Sequence, residues 1–224
     1  TQYKGVGEVR LIRLNADGSK DGSFNIGTGL DAVVRDIKID PANNIKLYAA
    51  GDFVTVNGST YQRAVRFNSS GSIDTAFNTT AGFDGPVYRM NITSDGFYAT
   101  GSFANYNATA RSNIARLSTS GVVDGTFAIN DGLSQAGRAL ANAPNGVDQV
   151  VGGLFSTYGG LTYRGIARYN ANGAIDATFN PGLGINTGMV SDIALAQDDP
   201  NDIYLVGTFT QYNGVTANSI VRVN

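Results

Sequence analysis

The 224-residue chain contains neither cysteine nor histidine. Thiolate and imidazole are therefore missing as metal ligands, which excludes zinc, haem-histidine and iron–sulfur centres and leaves only oxygen donors. The usual base of a Ser-His or Cys-His pair is missing too, and no Gly-x-Ser-x-Gly elbow occurs. A chain without thiols survives in reducing and oxidising surroundings alike, so the compartment stays open. Charge is scarce: 15% of residues carry it, Glu8 is the sole glutamate, and the lysines (Lys4, Lys20, Lys38, Lys46) all lie in the first quarter. Helix surfaces are ordinarily built from Glu and Lys, so long amphipathic helices are not expected. With a net charge of −2 and scattered arginines, there is no basic face to neutralise a run of phosphates, and nucleic acid is not expected as a partner. No apolar stretch reaches the roughly 18 residues that a membrane span requires.

What is abundant is glycine, 29 residues of it, together with Asn, Ser, Thr and β-branched and aromatic residues. That mixture belongs to short strands and frequent turns. Its order repeats. Phe24, Phe77, Phe127 and Phe179 form one series, and Phe53, Phe103, Phe155 and Phe209 a second, each with a period of about 52 residues, as in stacked supersecondary units. The clearest copy reads as strand Val87–Ile92, turn Ser94-Asp95-Gly96, strand Phe97–Phe103, a polar loop over Asn105–Arg111, strand Asn113–Leu117, a tight turn, and strand Val122–Phe127. Four short antiparallel strands per period predict an all-β fold, a β-propeller of four-stranded blades. The units run over about 26–78, 79–127 and 128–180, with partial ones at 1–25 and 181–224, in a single domain or an arc of a larger ring.

These residues resemble the delta-60 repeat family of β-propellers, whose units carry a consensus of the type Gly-x-Phe, Asn-Gly, Ile-Ala-Arg-Leu-Asn, Asp-Gly, Asp and Phe-Asn. Gly101-Ser102-Phe103 with Ile114-Ala115-Arg116-Leu117, and Gly153-Leu154-Phe155 with Ile166-Ala167-Arg168-Tyr169, carry the likeness. It extends over nearly the whole chain and departs in Leu133–Asp148 and Gln197–Asp202. The resemblance implies a part of a large surface or secreted bacterial protein, or of a phage structural protein, mostly without assigned chemistry.

Residues 1–15 align with 210–224, so one third strand is present twice. A ring closed on four blades would place both in one slot. An arc of a longer ring, five blades with the fifth split, or pairing with a neighbouring chain each resolves the conflict, and an oligomer or a fragment of a longer chain is expected.

The aspartates Asp21, Asp74, Asp124 and Asp176 recur once per unit. A catalytic group is needed once and a structural hydrogen bond is needed in every blade, so these are read as turn caps. Arg13, Arg66, Arg116, Arg168 and Arg222 are read by the same logic as ion-pair partners or covers over aromatic rings. The loop Asn15–Gly22 has a few alternating oxygen donors but no bidentate Glu, and no metal or other cofactor is expected. The acidic run Asp198, Asp199 and Asp202 reads as a solvated turn. The Asn-x-Ser/Thr triplets at Asn57, Asn68, Asn78, Asn91 and Asn107 are about as many as chance supplies in so Asn-rich a chain, so no glycosylation is inferred.

Tyr106, Tyr158 and Tyr212, with Tyr3 in the overlapping copy, occupy equivalent loop positions after Gly-x-Phe. Together with Asn107, Arg111 and Tyr163 they are candidates for contact with a partner protein or glycan, and packing between blades is the competing role. Asp36, Asp84 and Asp192 are the carboxylates that could converge on a central channel. Asp36 and Asp192 match in position and Arg89 and Arg138 are read into the same slot, as a ring for a small polar ligand or as a structural salt-bridge ring. The expected function is a non-catalytic scaffold and binding module at an extracellular, cell or virion surface. Rivals are an architectural fibre or shell subunit, and a lyase or glycosidase using channel carboxylates.

Overall fold

The computed structural model describes residues 2–3, 6–7, 10–42, 44–77, 81–94, 96–143, 145–196 and 202–223. Four antiparallel sheets follow one another, each with an inner, a middle and an outer strand. Their strands are Val34–Ile39, Leu47–Gly51 and Ala64–Phe67; Val87–Thr93, Gly96–Gly101 and Ile114–Leu117; Gly137–Asn142, Gln149–Gly153 and Ile166–Tyr169; and Val190–Leu195, Ile203–Gly207 and Ile220–Val223. The fourth strand expected in each blade is a single bridge, Phe67 to Ile73, Leu117 to Val123 and Tyr169 to Ile175. The chain leaves the sheet there because the next residue series, Asp74, Asp124 and Asp176, turns it by capping N–H groups two positions on.

The segment after each Gly-x-Phe, read from sequence as a loop, is a two-stranded hairpin. Thr55–Val56 pairs with Ser59–Thr60, Asn105–Tyr106 with Thr109–Ala110, Thr157–Tyr158 with Leu161–Thr162, and Gln211–Tyr212 with Val215–Thr216. Its two turn residues, Asn57-Gly58, Asn107-Ala108, Gly159-Gly160 and Asn213-Gly214, all have positive φ, the conformation of a type I′ turn that Asn and Gly adopt most readily.

The middle strands of the first three sheets bury both faces, which is why they read as nearly unbroken apolar runs. Tyr48, Ala50 and Ala64 of the first sheet share a cluster with Met90, Ile92 and Phe97 of the second. Tyr98 and Ile114 of the second meet Val151, Phe155 and Tyr169 of the third, and Val150 and Ile166 of the third meet Leu205, Phe209 and Val223 of the fourth. Sheets thus pack face to face with both phenylalanine series between them, all eight buried. The inner strands lie side by side in chain order.

Candidate functional site

The recurrent charges are consumed by the scaffold. Nε of Arg13, Arg66 and Arg168 meets Oδ2 of Asp21, Asp74 and Asp176 at 2.8, 2.8 and 2.6 Å, and Nη1 of Arg116 meets Asp124 at 2.9 Å. The same guanidiniums lie over the rings of Phe24, of Tyr48 and Phe77, of Tyr98 and of Phe179. They also reach the next blade: Arg13 donates to the Ser69 carbonyl, Arg66 to Thr119 and Arg116 to Ala171. In the fourth sheet Arg222 instead pairs with Asp202, from the lead-in to the middle strand. Asp198 and Asp199 lie outside the described residues, as does Asn78.

The contact candidates are placed differently from a set of rim side chains. Tyr106 and Tyr158 are buried, with hydroxyls donating to the Gly121 and Gly173 carbonyls at 2.5 and 2.7 Å. Burial raises both phenols, and raises half-buried Tyr212 to about 12. The correction has a simple cause: these hairpin positions bridge to Phe83, Leu133 and Ile185 of the segment leading into each blade, which draws the tyrosines inward, Tyr106 with its ring centre 4.6 Å from that of Phe83. Tyr163 packs against the cluster between the second and third sheets. Asn107 accepts the Gly82 N–H at 2.7 Å, and Arg111 donates to the Ala110 and Asp124 carbonyls. The channel carboxylates do not meet. Asp36 accepts the Met90 N–H, Asp84 caps the Ala104 and Asn105 N–H groups of its hairpin, and Asp192 is exposed. Among the described residues no three acidic side chains gather for a metal, and no helix is long and apolar enough to cross a membrane.

What the repeats do bring together is different. Every inner strand shifts register once, between Val34 and Asp36, Val87 and Arg89, Gly137 and Ala139, and Val190 and Asp192. The extra residues are Arg35, Tyr88, Arg138 and Ser191. A bulge re-aims the side chain it carries, and these four line one cavity of about 310 Å³, with Val33, Arg89 and Met189. Arg35 is held by two 2.6 Å bonds to Asp52. The Cζ atoms of Arg35 and Arg138 lie 4.9 and 4.0 Å from the centre of the Tyr88 ring. Arg138 sits at the bulge beside Tyr88 and not in the slot of Asp36, Arg89 and Asp192, which in its strand holds Ala139. In the first three units position counted from the preceding landmark phenylalanine carries this register, whereas likeness of residue type hides it. The bulges pair with the ends of the middle strands, from which the hairpins emerge, so cavity and hairpins share one rim.

The repeated sheets around a common axis define the β-propeller class. The family model described as "Domain of unknown function (DUF5122) beta-propeller" matches residues 1–24, 46–77, 93–127, 150–179 and 201–224, and the chain belongs to that family. Among solved structures it is similar to the WD40 β-propeller domain of Doa1, at 17% identity and a TM-score of 0.55, over 92% of this chain and 54% of that one. The chain thus spans about half the length of that chain. No curated protein matches.

Proposed function

We propose that the chain is a non-catalytic scaffold that presents one rim, the hairpin tips with the axial cavity at their centre, to a partner. The observation that carries this reading is a division of labour along the repeat. The Arg-Asp pairs and phenylalanine plugs recur in the blades and are spent on packing, whereas the four equivalent bulge positions hold three residue types, Arg35 and Arg138, Tyr88, and Ser191. A constant frame with variable loops is how repeat folds bind. The partner is a protein or a glycan, and the resemblance to delta-60 repeats favours display on an extracellular, cell or virion surface. Screening against a glycan array and a displayed peptide library tests the reading: binders are expected to lose affinity for a protein altered at exposed hairpin positions (Ser59→Lys with Val215→Lys), and binders indifferent to the rim contradict it.

A second reading, an architectural subunit, has its own observation. Met90 and Ile92 are 0% and 9% exposed against the preceding sheet, whereas their counterparts Ile37 and Ile39 are 48% and 54% exposed. At the other end Ile220 is 59% exposed where Ala64, Ile114 and Ile166 are fully buried. The two faces are the complementary halves of the interface that joins successive sheets, and a second copy stacked head to tail would reproduce it.

A further inference from the structure

The axial cavity has a chemistry that the scaffold does not use. Three arginines, Arg35, Arg89 and Arg138, come from three successive inner strands, and no acidic residue lines the cavity. Among the described residues only Arg35 of the three has an ion-pair partner, Asp52. Arg89 donates one bond, to the Tyr88 carbonyl at 3.0 Å. Arg138 forms no hydrogen bond or ion pair among the described residues, and its Nε is buried without a partner. A buried N–H donor on a cation is costly to leave unmet, and two guanidiniums without carboxylate partners among the described residues attract an anion to that point. The acids nearest in the strand pattern do not supply it. Asp36 accepts the Met90 N–H and stands 3.7 Å from Lys38, and Asp192 is exposed on the fourth sheet.

Resting on the reading of this rim as the binding face, we propose that the cavity receives a carboxylate of a partner polypeptide, an acidic side chain or chain terminus, between Arg138 and Arg89. A volume of about 310 Å³ admits a side chain. The Tyr88 ring is already engaged by Arg35 and Arg138, so it offers no open platform of the kind on which sugar rings stack. Guanidinium clusters recognise acidic motifs by paired, charge-assisted hydrogen bonds, which an amide isostere cannot reproduce.

The test uses the arginine Nε–Hε resonances of the full chain, titrated with a capped Gly-Gly-Glu-Gly-Gly peptide, its Gln counterpart and sodium glucuronate. The Glu peptide is expected to shift the Arg138 and Arg89 signals saturably and the Gln peptide to leave them in place. R138Q is expected to weaken binding by about tenfold. R89Q, which leaves the Arg138 stack on Tyr88 intact, gives the same loss and serves if R138Q does not fold. Equal shifts from the Gln peptide, no shift at either arginine, or response to glucuronate alone overturns the proposal. If displayed-library binders still depend on the hairpin tips in that case, the binding-face reading stands and only the carboxylate assignment fails.

Discussion

The recurrent aspartate is small, polar and paired, and its environment dictates when the fold weakens. The Ser23 hydroxyl and N–H, followed by Arg13, hold the Asp21 carboxyl down at about 2. For Asp74, burial works to raise the carboxyl, and bonds from Lys46 and the Ala76 N–H, with the charge of Arg66, overcome it. Asp124 and Asp176 are lowered in the same way against burial, by Thr126 and Thr178 and their arginines. A depressed native carboxyl stabilises the fold above its unfolded value of about 3.9 and loses that contribution as pH falls through the native one. Thermal unfolding is therefore expected to be flat from neutrality to about pH 5, with the midpoint falling steeply between about pH 4 and 2. A flat profile in that lower window contradicts the assignment. Removing Asp74 strands the buried Arg66, so D74A should cost about 3 kcal/mol by denaturant titration, and D21A, beside a more exposed arginine, should cost less. Tyr158→Phe keeps the ring and deletes the bond to Gly173, for an expected loss of about 1 kcal/mol.

At the scale of the element, the Gly-x-Phe glycine and the bulge are one device. A Cβ on Gly51, Gly101 or Gly207 would stand 2.1, 2.1 or 1.9 Å from the carbonyl of Val33, Pro86 or Met189, the residue just before the inner strand. The glycine lets that carbonyl come close, and the close approach sets the bulge. Gly101→Ala is expected to destabilise by about 1–3 kcal/mol and to broaden or shift the Tyr88 and Arg89 amide signals, a displacement that loss of stability alone would not localise there. Much of this element was legible: repeat length, strand order and the closing turns follow from Gly and Phe spacing, and the Arg and Asp series from their recurrence. The hairpin strands were not, because two-residue strands leave too short an alternation to detect, and Tyr106 looks like a rim residue in a polar loop. Nor was the fourth strand's reduction to one bridge, since Ile73, Val123 and Ile175 alternate as strand residues do. The axial site escaped because a bulge adds a residue without leaving a mark in the repeat, so Arg89 and Arg138 align by type while the backbone sets them one place apart.

The whole molecule is a succession of repeated sheets, with apolar side chains exposed on the first and the fourth and the four bulge residues gathered at one cavity. The end faces predict association that grows with concentration. In sedimentation velocity, Ile39→Glu and Ile220→Glu are each expected to shift the protein toward smaller species, because a charge cannot enter an interface built from Met90 and Ile92 against Tyr48 and Ala64. Association unaffected by either change would leave those faces without a role. The arrangement on which everything else depends is the convergence of the four bulges. A chain without native cysteine permits selective spin-label pairs, and the direct measurement is the set of distances from position 35 to positions 88, 138 and 191. With all four residues on one cavity, the 35-to-191 distance should stay in the range of the other two; a distance that lengthens by a sheet width at each step, as in a straight stack, contradicts the account.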